Sequence, residues 1–314
     1  IIEEGQFPFF SNSYLCLAGG EAVRQEVDYV RYAADRSREH AVRTDIRGNC
    51  VFKCPMYPQG ASHVAHIAKA YEKLCGQYED TDLKFNRCKL HTKENGEIYA
   101  EFEFIQAQAL QAQIEHAVAA DDMNRVFDIL HRMVRYIRNS RKTVPFAVTD
   151  DFLEVFGEVE GVSALQGAVC SEVSDADLIL PNILAGEDGT WNVIDYEWTF
   201  FFPIPQNFVI YRTLFFLNHE NPEHTSLSME RLLDDAGISQ EEAEIYARME
   251  EAFQRYVTGG LVPYREMVNL LKRRFLNITE LKEEFDRVLE YNELLRGRGF
   301  WKIARTIKKK LTGN

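Results

Sequence analysis

Residues 28–106 read as short alternating strands, and the long runs after them repeat at helical spacing. That order limits the fold more than any other feature. Three strand-like runs come first, YVRYAAD (29–35), EHAVRTDI (39–46) and NCVFK (49–53), separated by polar turns that include Arg47-Gly48-Asn49. Pro58-Gln59-Gly60 then precedes ASHVAHIAKAYEKLCGQY. There Val64, Ile67, Ala68, Tyr71, Leu74 and Cys75 share one helical face, and Ser62 is the expected N-cap. Two further runs, KFNRCKLHT and EIYAEFEFIQ, are expected to pair across Glu94-Asn95-Gly96. After Gln106 come the helical runs QAQIEHAVA and MNRVFDILHRMVRYIRN. Residues 140–174 are mixed, and the chain from about 207 is mostly helical. Strands first and helices second, with one helix among the strands, predict an α+β protein with two lobes.

The expected divisions are a strand-rich N-lobe at 1–106, a helical C-lobe at 107–278, and a C-terminal stretch at 279–314. An apolar lead-in, FPFFSNSYLCL, closes at Gly19-Gly20. In the last stretch Leu281, Phe285, Val288, Leu289, Asn292 and Leu295 form a stripe with coiled-coil-like spacing. Residues 296–310 carry Arg296, Arg298, Lys302, Arg305, Lys308, Lys309 and Lys310 without an acid, with an apolar face opposite. Such a helix suits an anionic membrane surface or a solvated connector, and the sequence leaves both open. The chain opens at Ile1 without a methionine, as a piece of a longer polypeptide would.

Lys+Arg is 36 against Asp+Glu 49, a net charge of -13, which argues against a nucleic-acid groove. Cys16, Cys50, Cys54, Cys75, Cys88 and Cys170 lack paired metal spacing and read as reduced thiols of a cytoplasmic protein, membrane-peripheral if the tail binds lipid. None of the eight histidines lies in H-E-x-x-H, and neither G-x-S-x-G nor G-x-G-x-x-G occurs. Zinc hydrolase, serine hydrolase and dinucleotide-binding readings therefore have no foothold.

The chemistry is concentrated in Asp175-Ala176-Asp177-Leu178-Ile179-Leu180-Pro181-Asn182 and in Val193-Ile194-Asp195-Tyr196-Glu197-Trp198. Phosphoryl transfer needs a carboxylate to orient or deprotonate the attacking hydroxyl, and oxygen ligands to hold magnesium against phosphates. Asp177 suits the first task; Asn182 and Asp195 suit the second. Upstream, Lys53 stands on the third strand-like run, and Glu72 is the acid in the middle of the first helix. Arg36 and Arg38 sit between the first two strands. No glycine stands there. The two arginines read either as phosphate-matching forks or as a solvated hairpin tip.

This ordered set resembles the kinase-like superfamily, with Asp177 and Asn182 at the catalytic-loop spacing and Asp195 on the following strand. In that family the third-strand lysine holds the phosphates and pairs with an acid on the first helix, roles that the resemblance carries to Lys53 and Glu72, and a glycine-rich loop between the first two strands covers the phosphates. The departures point away from protein kinases. Asp175-Ala176-Asp177 lacks the histidine, Tyr196-Glu197 replaces Phe-Gly, and FFFPIPQNF replaces an activation loop. Asp-aromatic-acid is more similar to the small-molecule kinases of aminoglycoside and choline type.

The runs FFSNSYL, TDDFLEVFGEV, VSDADLILPNIL and VIDYEWTFFFPIPQNFVIYR further resemble kinase-like domains of bacterial surface-polysaccharide proteins, often fused to methyltransferase or glycosyltransferase modules. That resemblance implies ATP and Mg2+ as cofactors, a sugar or glycan hydroxyl as acceptor, and transferase modules as partners. The alternative is a catalytically weak pseudokinase that scaffolds neighbouring transferases, suggested by the missing histidine and glycine loop.

Overall fold

The computed structural model describes residues 27–260, other than 34, 187, 222 and 223, together with 282 and 287. The apolar lead-in, Cys16, the stripe from Leu281 to Leu295 and the basic tail lie outside the described residues.

The first sheet contains β1 (Tyr29–Tyr32), β2 (Val42–Arg47) and β3 (Cys50–Pro55). The chain then forms α1 (Ala61–Gln77), β4 (Leu83–Phe85), β5 (Lys89–Thr92) and β6 (Ile98–Glu103). The sheet order is β1-β2-β3-β6-β5, antiparallel throughout. Gly48, at φ 56, makes the turn from β2 to β3. Helix α1 lies on this sheet and buries Val64, Ile67 and Leu74 completely, while Ala68, Tyr71 and Cys75 are half-buried.

Two expectations need correcting. Gly60, not Ser62, is the N-cap of α1, because the Pro58–Gly60 turn leads straight into the helix; the Ser62 hydroxyl reaches back to Gln59 O at 3.5 Å. The run KFNRCKLHT is not one strand: β4 leaves the first sheet and pairs in parallel with a later strand. Asn86 is the cause. Its N–H donates to Val193 O at 2.9 Å and its side-chain Nδ2 to Glu103 O at 2.8 Å, so a buried amide ties the two sheets at the break.

The second half begins with β7 (Gln108–Ala109), α2 (Leu110–Ala119) and α3 (Met123–Arg138). Asp122 caps α3 by accepting from Arg125 N–H. The mixed stretch resolves into β8 (Thr143–Pro145), α4 (Asp150–Phe156), β9 (Val169–Ser171) and β10 (Ser174–Asp175). Then follow β11 (Ile183–Ala185), β12 (Trp191–Val193), β13 (Thr199–Phe200), β14 (Ile204–Pro205), α5 (Gln206–Glu220), α6 (Met229–Ala236) and α7 (Gln240–Thr258). A four-stranded sheet runs β4-β12-β11-β7, a three-stranded one β14-β9-β8, and β10 pairs with β13. Helix α5 is apolar nearly all round, burying Phe208, Val209, Ile210, Leu214 and Leu217, and so runs through the core. Phe152, Phe156, Phe202, Phe208 and Phe253 pack edge-to-face and stacked beneath β13, fixing α4 and α7 against the strands above.

An antiparallel sheet with one helix, followed by a loop-and-hairpin layer and then a helical body, is the two-lobed α+β architecture that the order of strands and helices implied. No helix among the described residues is long and apolar enough to cross a membrane. The described cysteines are all free.

Candidate active site

Backbone pairing assembles the site. In the ladder, Asp175 faces Thr199, and Ala176 N–H donates to Trp198 O at 2.9 Å. Asp175 Oδ1 then accepts from Asp177 N–H at 3.0 Å, closing a turn that presents the Asp177 side chain. The carboxamide nitrogen of Asn182 donates to Asp177 O at 3.0 Å, and Ile194 N–H donates to Asn182 O at 2.8 Å. Asn182 is thereby held beside the residue that precedes Asp195. Asp195 itself has φ 58, one of two non-glycine residues with positive φ among those described. Asp tolerates that left-handed region better than most side chains, and the surrounding contacts hold Asp195 in it.

Lys53 reaches the same place from the first sheet. Its Nζ forms an ion pair with Asp195 and donates to Glu197 Oε2 at 3.0 Å, with only 8% of the side chain exposed. Glu197 also pairs with Arg36, whose guanidinium lies over the Trp198 ring at 5.4 Å. Burial favours the neutral carboxyl of Glu197, but the Arg36 and Lys53 cations override it and hold its pKa well below the ordinary range. Burial likewise opposes the Lys53 charge, and Asp195 and Glu197 raise its pKa in spite of it.

Asp177 is gripped from below. The Arg212 guanidinium on α5 donates to Asp177 Oδ1 at 2.7 Å and to Ala176 O, and its Nε donates to Glu250 Oε2 at 2.6 Å. Burial pushes the Asp177 pKa up, and Arg212 partly offsets it. Asp175 is fully enclosed; burial, and then the Asp177 charge, raise its pKa well above the ordinary value.

The structure therefore brings together Lys53, Arg36, Asp177, Asn182 and Asp195. It does not bring in Glu72 or Arg38. Glu72 is exposed and pairs with no cation among the described residues, because α1 turns its Val64–Ile67–Leu74 face inward and Glu72 lies on the other side. Glu197 takes the place expected of it beside Lys53. Arg38 is exposed and lies over the Tyr57 ring at 5.3 Å, clear of the site. The sequence reading missed Glu197, Arg212 and Glu250. Glu197 had a signal, a second acid two residues beyond Asp195; Arg212 and Glu250 had none, since each is an ordinary residue of a distant helix.

Among the described residues no group of three or more His, Cys, Asp or Glu side chains is arranged to hold a metal ion. One carboxylate (Asp195) and one carboxamide oxygen (Asn182) are instead a hard-oxygen set of the size that magnesium uses when phosphates and water complete its shell. The Asn182 nitrogen is engaged by the loop backbone, which leaves its oxygen as the free donor. These residues fit such an ion.

No protein-family model matches the chain, and no curated protein does. Several solved structures are similar. Choline kinase LicA from Streptococcus pneumoniae is 14% identical, covering 81% of this chain and 87% of its own, with a TM-score of 0.40. The GDP complex of an aminoglycoside 2'-phosphotransferase-IIIa mutant is 12% identical over 94% of this chain and 95% of its own, also at 0.40. WbdD bound to a kinase inhibitor is 9% identical over 83% of this chain and 50% of its own, at 0.34.

Proposed function

We propose that the protein is a Mg-ATP-dependent phosphotransferase acting on a hydroxyl of a sugar or glycan terminus in surface-polysaccharide biosynthesis. The observation that carries the phosphotransferase reading is the convergence of Lys53 from the first sheet, Asp177 and Asn182 from one loop, and Asp195 from the turn after β12. The acceptor class is supported by the sequence resemblance of the segments around Thr149, Asp177 and Asp195.

In this reading Arg212 holds one oxygen of Asp177 and the other takes the proton of the acceptor hydroxyl. The acceptor oxygen attacks the γ-phosphorus, the bond to the β–γ bridging oxygen breaks, and its electron pair leaves on ADP. Lys53 and Arg36 supply positive charge beside the phosphates. Magnesium, held by Asn182 and Asp195, neutralises charge on the phosphate oxygens when it is bound.

The test is a thermal shift with ATP, with and without magnesium, on the wild type and Asp195→Ala. A ligand that binds only the native state raises Tm. A magnesium-dependent rise that Asp195→Ala abolishes is expected. A wild type unmoved by millimolar ATP would overturn the reading in favour of a scaffold. Asp177→Asn is expected to keep the shift and lose about 10²–10⁴-fold in transfer of labelled phosphate to sugar acceptors.

A further inference from the structure

Glu197 has 1% of its side chain exposed, and three nitrogen-bearing side chains face it. Arg36 pairs with Oε1, and Lys53 donates to Oε2 at 3.0 Å. The third is His63, on the first turn of α1, whose Nε2 stands 3.7 Å from Oε2. That is about 0.8 Å beyond the usual N–H···O length of about 2.9 Å, and Nε2 is buried without a hydrogen-bond partner. Buried polar groups are nearly always paired, so this one calls for a partner.

The partner has to come from inside the protein. The His63 ring is 8% exposed and packs against the His40 and Trp198 rings, each with its centroid 5.1 Å away. Glu197 is the group it faces. The helix that carries His63 is tied down as well. One turn on, His66 Nε2–H donates to Thr199 O at 2.6 Å, which fastens α1 to the segment just after Glu197. With both backbones held, the gap closes by side-chain motion, and a glutamate carboxylate turns about a broad terminal torsion. A neutral imidazole with its proton on Nε2 suffices as the donor.

Phosphate supplies the occasion. In this structure Arg36 and Lys53 share Glu197, and both are also the cations placed to meet a nucleotide's phosphates. A phosphate that draws Arg36 away leaves a buried carboxylate short of a donor, which is costly for a charged group. We infer that His63 is a positioning residue: its Nε2–H takes up Glu197 when Arg36 turns to the phosphates, so that Glu197 keeps its place and goes on holding Lys53. This rests on the phosphotransferase reading, because it needs phosphates to draw Arg36. His63 acts through Glu197 and touches neither nucleotide nor acceptor.

The test is calorimetric titration of ATP with magnesium into the full chain, alongside urea denaturation of the same proteins without nucleotide. His63→Leu removes the donor and is expected to weaken ATP binding about tenfold without lowering the urea midpoint, because the bond it deletes forms only with nucleotide. His63→Gln, whose side-chain nitrogen can stand where the imidazole Nε2 does, is expected to restore most of the affinity. In a Glu197→Gln background, His63→Leu is expected to cost at most about twofold more. In wild type carrying isotope-labelled histidine, one ring N–H signal, absent from His63→Gln, is expected to move downfield on adding ATP.

A wild type that binds no ATP overturns the phosphotransferase reading and this role with it. Where the wild type does bind, three results spare that reading and overturn the role of His63. One is an affinity that His63→Leu leaves unchanged, or a loss that persists undiminished with Glu197→Gln. Another is a loss that comes with a lower urea midpoint and that His63→Gln does not rescue. The third, which needs no stable leucine variant, is a ring N–H signal that ATP does not move.

Discussion

Asp175 and Glu197 are both buried acids of the same site, and pH acts on them in opposite directions. Asp175 has a folded pKa well above its ordinary 3.8, so the native state keeps a proton that the unfolded chain releases. Its effect on stability is therefore unfavourable above 3.8, growing until pH passes the folded value. Asp175→Asn, which still offers an oxygen to Asp177 N–H, is expected to raise the urea midpoint at neutral pH. The gain should fade as the pH approaches 3.8, and the comparison of denaturation curves across that window checks it. Glu197 has a folded pKa well below 4.5, so its stabilisation is present above 4.5 and lost as pH falls through the folded value. Glu197→Gln is expected to erase that acid-side loss and to weaken the ATP shift, because Lys53 and Arg36 lose their shared partner.

Among the elements, α7 carries the clearest local code. Ser239 and Glu242 form a reciprocal capping box at its start, and Gly259, at φ 61, ends it in the left-handed region. Ser239→Ala should cost about 1 kcal/mol in urea denaturation. Gly259 has a second duty. A Cβ there would come within 2.6 Å of Ser37 Cβ, and Ser37 N–H donates to Val257 O at 3.1 Å. The β1–β2 loop is thus pinned to the end of α7, with His40 seated among His63, Trp198 and Tyr256. This pinning is how a loop without glycine presents Arg36 to the site. Gly259→Ala is expected to lower the ATP-induced rise in Tm by more than its own cost in stability explains.

Across the whole molecule, one buried charge network joins the catalytic loop to the helical body. Arg212 is 2% exposed and is held by Glu250 on one side and Asp177 on the other. Removing one member of a buried pair strands the other, so Arg212→Met should cost about 3–5 kcal/mol. The double variant Arg212→Met/Glu250→Leu removes both charges and is expected to recover most of that stability in urea denaturation. Phosphotransfer should remain low, since Asp177 has lost the group that orients it. Recovery of both together would show that Arg212 acts only on folding.

The linear order of residues determined which segments carry strands and helices, because alternation and helical spacing are local properties set by which faces must be buried. It also determined that Asp177, Asn182 and Asp195 stand close together, since one loop and one hairpin span them. Partners across long separations were another matter. The helical position of Glu72 suggested a pair with Lys53, but rotation of α1 about its axis is fixed by the apolar face it buries, and that turned Glu72 outward. Glu197, two residues beyond Asp195, took the lysine instead. Arg212 and Glu250 reach Asp177 as a linked pair only once α5 and α7 are packed. Burial sets their energetics, and burial is a property of the assembled core rather than of any segment within it.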